Sequence, residues 1–239
     1  MRLLLLAAAC VLMPVLAHAA ETKTFEGTGL KALVLQNSAG RVRIDGTDEG
    51  TAVVTARKIV FGDRCRLTME RSGSRLEVVV EKIGFASGSC RVDFDIRLPR
   101  AISLDLRSGS GDMDVRGTRG AVEFKLGSGN IEVDADIRRL DGKTGSGDVT
   151  VSGLTGDAEV KTGSGKVTLA YTKVPAQGRL DVTTGSGDIN LYLPEGTPIR
   201  TKFKTGSGEV FNELGDSLDA GFRIDATAGS GGLTIRKRR

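Results

Sequence analysis

Carboxylates recur beside glycine turns at a regular interval, and carboxylate oxygens are the ligands that calcium prefers in proteins. Asp112, Asp114 and Glu132 are the three that neighbouring copies of the pattern would bring closest together, and they are the candidate calcium ligands. The pattern differs from the nonapeptide calcium rolls because its interval is 18 residues and Lys166 replaces the acid in one copy. The alternative is a solvated edge without metal.

Other short patterns that could support chemistry lack essential members. TGSGKVT from Thr162 resembles part of a phosphate-binding loop, but Val160 stands at the early glycine position and Val167 at the hydroxyl position. The only histidine, His18, lies in a segment predicted to be removed, so the mature chain would have no histidine base or metal ligand. No G-x-S-x-G motif occurs. We predict no catalytic residues and no cofactor, with a carboxylate-dependent polysaccharide-active enzyme as the alternative.

The first 19 residues have the pattern of a secretory signal peptide. Arg2 precedes an apolar run from Leu3 to Ala17, and Ala17-His18-Ala19 matches the small-x-small cleavage pattern. Cleavage near Ala19 predicts an exported protein, located in the periplasm or at the cell surface. No later stretch approaches the length of a transmembrane helix, so none is predicted in the mature chain.

The positive charge of the chain is concentrated at its last residues. The formal net charge is +4, and residues 236–239 are Arg236, Lys237, Arg238 and Arg239, so the rest is close to neutral. The high pI therefore does not indicate a nucleic-acid-binding face. These four residues are either a solvated end or a tether to an anionic membrane or cell wall.

A repeat explains the glycine content of the chain. Seven Gly-Ser-Gly triplets begin at Gly109, Gly127, Gly145, Gly163, Gly185, Gly206 and Gly229, and a degenerate copy, NSAGRVRI, begins at Asn37. Apolar residues alternate at period two on both sides of each triplet, which predicts two short strands turned about at the glycines. One copy buries too few side chains to fold alone. We therefore predict an all-β fold, a β-solenoid of about seven to eight stacked rungs.

The segment from Thr51 to Pro99 has longer alternating runs and predicts an antiparallel β segment near the N-terminus, with turns at residues 72–74 and 86–89. It would cap the first rung or serve as a recognition surface. The predicted organisation is signal peptide 1–19, N-terminal β segment 20–98 including the degenerate copy, solenoid 99–235 and basic tail 236–239.

Two cysteines remain after cleavage, Cys65 and Cys90. In an oxidising compartment they favour one disulfide. The alternative is two separate buried thiols, because positions two strands apart in a simple meander are about 10 Å apart.

Charged residues also follow the repeat. Residues four before each triplet are mainly acidic and residues two before it mainly basic, so stacking would align them on the solvent face. The acidic lane comprises Asp105, Glu123, Asp141, Glu159 and Asp181, and the basic lane comprises Arg107, Lys125, Lys143, Lys161 and Lys204. The lanes predict a platform for a repeating, charged envelope polymer. The alternative is a soluble surface that resists association between sheet edges.

The signal peptide, the strand in IRLPRAISLDL and the repeated GSGD-[IVM]-x-[VL] units resemble the bacterial putative-adhesin family, a domain family of unknown function with β-strand repeats. The resemblance runs from about Leu33 to Ile235 and supplies no catalytic residues. The family's aspartate is replaced at Asn130, Lys166, Glu209 and Gly232, so no ligand can depend on that residue in every rung. We expect a non-catalytic exported binding or structural module of the envelope, whose partner is an unidentified polymer or protein. A regulatory partner in envelope stress is a further alternative.

Overall fold

The computed structural model of the protein describes residues 20–84 and 89–238. The predicted signal peptide, most of the predicted turn at 86–89 and residue 239 lie outside these ranges. The strands are β1 (Ala20–Glu26), β2 (Ala32–Ala39), β3 (Val42–Thr47), β4 (Thr51–Val60), β5 (Cys65–Ser72), β6 (Arg75–Lys82), β7 (Arg91–Pro99), β8 (Ser103–Ser110), β9 (Met113–Ser128), β10 (Ile131–Ser146), β11 (Val149–Ser164), β12 (Val167–Tyr171), β13 (Gly178–Ser186), β14 (Ile189–Leu193), β15 (Ile199–Ser207), β16 (Val210–Asn212), β17 (Phe222–Ser230) and β18 (Leu233–Lys237). Across the described ranges we find no helix that could span a membrane.

Each rung has one strand before the glycine turn and one after it, and copies stack in parallel register. The strands before the turns form the first face and those after them form the second face. β9, β10 and β11 are 16 residues long because each holds the second-face strand of one rung and the first-face strand of the next. In space the first face runs β5, β6, β2, β8, β9, β10, β11, β13, β17, β15, and the second face runs β1, β4, β7, β3, β9, β10, β11, β12, β14, β18, β16.

Side chains that alternate inward from the two faces meet in one core. Val149 and Val151 follow the same turn and are fully buried. The inward position at Gly142 has no side chain, and the buried ring of Phe124 from the neighbouring rung fills that space. The stacking thus supplies the apolar burial that a single copy lacks.

The glycine turns are packed too closely to accept side chains. A Cβ atom on Gly145 would lie 2.5 Å from the carbonyl oxygen of Gly127 in the preceding rung. Gly147 has φ +123° and would place its Cβ even closer to the oxygen of Gly129. Both the approach of the rungs and the positive φ therefore require glycine here.

The rungs do not stack in chain order at either end. The rung β17–β18 lies between β13–β14 and β15–β16, although it follows both in the chain. The rung β2–β3, formed by the degenerate copy, lies between β6–β7 and β8–β9. Repeat copies with the same inward pattern can stack in more than one order, so their spacing does not determine the order.

The predicted antiparallel segment is partly wrong. β4 pairs antiparallel with β1 and β7, and β5 with β6, but β6 and β7 pair in parallel with β2 and β3. They therefore form a further rung, because their inward residues, such as Val78 and Phe94, alternate as those of the repeat do.

Cys65 opens β5 and Cys90 precedes β7, and the structure joins them as a disulfide with Cα atoms 5.8 Å apart. The bond links the outer strand β5 to the loop before β7. The meander distance of about 10 Å does not apply, because Cys90 lies next to β6, with its sulfur atom 3.9 Å from the carbonyl oxygen of Glu81.

Candidate functional site

The structure aligns the two charged lanes on the first face. Register pairs connect the acidic lane from Asp105 through Glu123, Asp141, Glu159 and Asp181, and continue it to Asp225. The same pairs connect Arg107, Lys125, Lys143 and Lys161 in the basic lane. Lys204 does not join them, because Thr183 and Thr227 lie between it and Lys161 in the register.

Each base of the lane faces an acid of its own rung. The nitrogen–oxygen distance is 3.1 Å for Arg107 and Asp105, 2.7 Å for Lys125 and Glu123, 4.0 Å for Lys143 and Asp141, and 2.5 Å for Lys161 and Glu159. The bases remain about half exposed. Ion pairs this exposed contribute little stability, so the bases are free to exchange their partners for a ligand.

The ion pairs shift protonation in the expected directions. The hydrogen bond that Lys125 donates lowers the pKa of the Glu123 carboxyl, and Lys161 lowers that of Glu159 in the same way. The hydrogen bond to Glu159 raises the pKa of the Lys161 ammonium. These shifts favour the charged forms of Glu123, Glu159 and Lys161 at neutral pH.

A shallow groove runs along the basic lane. It has a volume of about 640 Å³ and lies between the lysines and the ridge of glycine turns. Its lining residues are Lys125, Leu126, Gly127, Lys143, Thr144, Gly145, Lys161, Thr162 and Gly163. We call this feature the lysine groove. It crosses three rungs, with Leu126 at one end and Thr144 and Thr162 at the equivalent positions of the other two, and this extended shape suits an extended chain.

A second groove, on the second face, was not predicted from the sequence. It has a volume of about 570 Å³, and arginines and carboxylates alternate in its wall. Asp114 pairs with Arg116 at 2.8 Å and with Arg43 at 3.7 Å, and Arg57 pairs with Asp95 at 3.2 Å. These residues meet because β7 lies beside β3, a neighbour relation that chain order does not indicate. Only the outward alternation of charges in each strand signalled them.

Two of the three candidate calcium ligands, Asp112 and Asp114, have other partners. Asp114 lies in register with Glu132, but two arginines contact its carboxylate, and Asp114 raises the pKa of Arg116 by hydrogen bonding. Asp112 accepts a hydrogen bond from the backbone N–H of Asn130. Within the described ranges no group of three or more His, Cys, Asp or Glu side chains is placed to hold a metal ion.

The acid that follows the glycine turn has a structural role. Asp148 accepts a hydrogen bond from the N–H of Lys166 in the next rung at 2.8 Å, and its own N–H donates to the Asn130 side chain at 2.9 Å. Asp188 accepts from Gly232 N–H in the same way at 3.0 Å. This Asx ladder joins successive rungs at their turns. It explains why Asn substitutes for Asp without a change of function at the turn.

The first two residues of the basic tail belong to a strand. Arg236 and Lys237 lie in β18, with the Arg236 guanidinium 5.9 Å from the ring centre of Phe211 and the Lys237 ammonium 2.8 Å from a Glu195 oxygen. Glu195 also raises the pKa of Lys237. The predicted end of the solenoid at residue 235 is thus two residues too early, because Arg236 and Lys237 continue the alternation of β18. A tether to an anionic surface stays a prediction.

The family model described as Toastrack DUF4097 matches residues 30–235. The chain belongs to this family. The predicted family resemblance and the β-solenoid fold class are thereby confirmed for this Toastrack protein. No curated protein is significantly similar to it.

Solved structures similar to this Toastrack chain share little sequence with it. A putative cell adhesion protein from Clostridium sporogenes is 17% identical, with 92% of this chain and 99% of that chain covered and a TM-score of 0.45. A putative adhesin from Bacteroides fragilis is 9% identical, with 91% and 97% covered and a TM-score of 0.48. A putative lipid binding protein from Parabacteroides distasonis is 13% identical, with 92% and 97% covered and a TM-score of 0.41. These likenesses assign no function to the Toastrack chain.

Proposed function

We propose that this protein is a non-catalytic, exported binding module of the bacterial envelope, and that its lysine groove holds a linear anionic polymer. One observation carries the proposal: parallel stacking places Lys125, Lys143 and Lys161 in an unbroken row along an open groove. Rungs about 4.8 Å apart present the charges at a constant interval. A polymer with repeated anionic groups can contact all three at once.

Two features support export. The first 19 residues have the signal-peptide pattern, and the Cys65–Cys90 disulfide belongs in an oxidising compartment. N-terminal sequencing of the protein from a periplasmic extract checks this part, since a mature chain that begins near Ala20 is the expected result.

The use of the carboxylates supports a binding role over catalysis. Asp112 and Asp148 accept backbone hydrogen bonds from the next rung, and Asp114 is held by two arginines. Carboxylates engaged in this way stabilise the stack. The second groove therefore has a structural use for its acids.

The test compares two triple variants of equal charge. The first, Lys125→Gln with Lys143→Gln and Lys161→Gln, removes the row of the lysine groove. The control, Lys31→Gln with Lys82→Gln and Lys173→Gln, removes three exposed lysines elsewhere. Polyphosphate and polygalacturonate are the probes, measured by calorimetry at low and moderate salt. At about 1 kcal/mol per lysine, the first variant should lose more than about 100-fold in affinity. The control should bind as the wild type does.

Neutralising the acids tests the sign of the charge effect. Glu123→Gln, Asp141→Asn and Glu159→Gln together free the lysines from their partners and should strengthen binding of both polyanions. Equal binding by all the variants would refute the role of the lysine groove. Weaker binding of both polyanions after the acids are neutralised would contradict the proposed effect of charge.

A further inference from the structure

The last rung of the stack has an open edge. β15 pairs only with β17, and β16 only with β18, so nothing in the described chain pairs with their outer sides. An unpaired edge presents backbone N–H and C=O groups that can pair with another strand. Whether this edge is protected decides whether it can serve as a binding surface.

A loop covers only the beginning of the edge. The N–H of Ser217 donates to the carbonyl of Ile199 at 2.8 Å, and the N–H of Thr201 donates to the Asp216 carboxylate at 2.9 Å. Backbone groups of alternate residues point to the same side of a strand, so those of Phe203 also face outward.

By the same alternation, the backbone N–H and C=O groups of Thr205 face the open edge. The loop that follows β16 makes no backbone hydrogen bond to Phe203 or Thr205 within the described residues. The edge is therefore open from about Lys202 to the end of β15 and along β16.

The charge of this rung differs from that of the inner rungs. The acidic lane ends at Asp225, and its next position, in register, is Lys202. The solvent-facing side of β15 carries three exposed bases, Arg200, Lys202 and Lys204. No described carboxylate lies within ion-pair distance of them, and Asp225 pairs with Arg179. An added strand would lie about 4.8 Å away, where an acid could pair with them. A second copy that used the same edge would bring lysine against lysine, which opposes self-pairing.

The end of the core is also uncovered here. Val210 lies in register with Leu233, which is fully buried, yet Val210 is 54% exposed because no rung covers it. Its neighbour Phe211 is 54% exposed as well. An added strand with an apolar inward side chain would bury Val210 as the inner rungs bury their own residues.

We propose that the open edge of β15 and β16 docks an extended acidic segment of a partner protein, which adds to the stack as a further strand. Its carboxylates face Lys202 and Lys204, its backbone pairs with Phe203 and Thr205, and an apolar side chain covers Val210. This surface lies at the end of the rod and does not depend on the lysine groove. The segment is recognised by backbone pairing together with charge, the mode known as β-augmentation.

The experiment uses a labelled peptide of about ten residues that alternates glutamate with valine, and a counterpart in which lysine replaces glutamate. Fluorescence anisotropy with the full mature protein should show binding of the acidic peptide only. Lys202→Glu with Lys204→Glu should weaken that binding about tenfold or more and create binding of the lysine peptide. Lys31→Glu with Lys173→Glu carries the same charge change at two exposed lysines outside the edge and outside the lysine groove, and should leave peptide binding unchanged.

A second variant separates backbone pairing from charge. Thr205→Pro removes an outward N–H and keeps both lysines, so it should reduce peptide binding while circular dichroism retains the β signal. Failure of the acidic peptide to bind at low salt would overturn the proposal, and so would equal binding by the charge-reversed edge. Sedimentation of the wild type as a dimer, lost in Thr205→Pro, would assign the edge to a second copy and also overturn it.

Discussion

Four glycine-to-alanine variants separate the two constraints on the glycine turns. Gly50 has open space around it and no positive φ, and Gly196 has φ +73° with open space. Gly145 has the close approach without the positive φ, and Gly147 has both. Gly50 is therefore the control without either constraint, and Gly196 tests the backbone conformation alone. Gly145 tests close packing alone, and Gly147 tests both constraints together.

The magnitudes follow from these environments. Gly50→Ala should be neutral or stabilise by up to about 1 kcal/mol, because alanine restricts the unfolded chain. Gly196→Ala should lower the free energy of unfolding by about 1–2 kcal/mol through its positive φ. Gly145→Ala places Cβ 2.5 Å from a carbonyl oxygen, so a rung must shift, at about 1–3 kcal/mol. Gly147→Ala combines the two effects, about 2–5 kcal/mol.

Urea unfolding followed by far-ultraviolet circular dichroism measures the order of the four midpoints. Repeat stacks can unfold in more than one step, so the midpoint of the major transition is compared with the wild type under one set of conditions. The expected order is Gly50→Ala, Gly196→Ala, Gly145→Ala and Gly147→Ala, from most to least stable. If Gly145→Ala unfolded together with Gly50→Ala, close packing of the turns would not explain the Gly-Ser-Gly repeat.

Three further outcomes follow from the described contacts. Tyr171 is fully buried, its hydroxyl has no hydrogen-bond partner among the described residues, and burial raises its pKa. Tyr171→Phe should therefore keep or raise the free energy of unfolding measured in urea. A decrease of more than about 1 kcal/mol would contradict the absence of a hydrogen-bond partner. Asp148→Ala removes the hydrogen-bond acceptor for the next rung and should lower the free energy of unfolding by about 0.5–1.5 kcal/mol, whereas Asp148→Asn should lower it less. Equal decreases for the two variants in urea unfolding would contradict the Asx ladder. The pKa values of Glu123 and Glu159 are lowered in the folded chain. Their contribution to stability should therefore be complete above the ordinary glutamate pKa and should disappear as pH falls through the lowered values. Between pH 7 and pH 3, the free energy of unfolding should decrease less when both residues are Gln.

The sequence was sufficient to predict the rung and most of its core. Alternation at period two around each turn predicted the inward positions of Val149 and Val167, and both are buried. The prediction succeeded because side-chain direction in a strand depends only on parity. The charge lanes followed from the same parity, and their register is the one that parallel stacking imposes.

The order of the rungs could not be predicted in the same way. Any copy with the repeat pattern can stack on any other, so the placement of β17 between β13 and β15 depends on long-range packing. The second groove could not be predicted for the same reason, because Arg43 and Asp95 are in register only when β7 lies beside β3. The structural role of Asp148 was also missed, since a side chain that accepts a hydrogen bond from the next rung has no signature beyond its position.

The interchange of rungs at both ends has a kinetic consequence. β15 emerges before β17, yet its only strand partner in the described chain is β17, so the earlier strand must wait for the later one before it can dock. At the other end, β2 and β3 stay without their inner neighbours until β8 and β9 have formed. Growth by simple winding from one end cannot produce this order. We therefore expect the central rungs, which stack in chain order, to nucleate folding and the two ends to lock last.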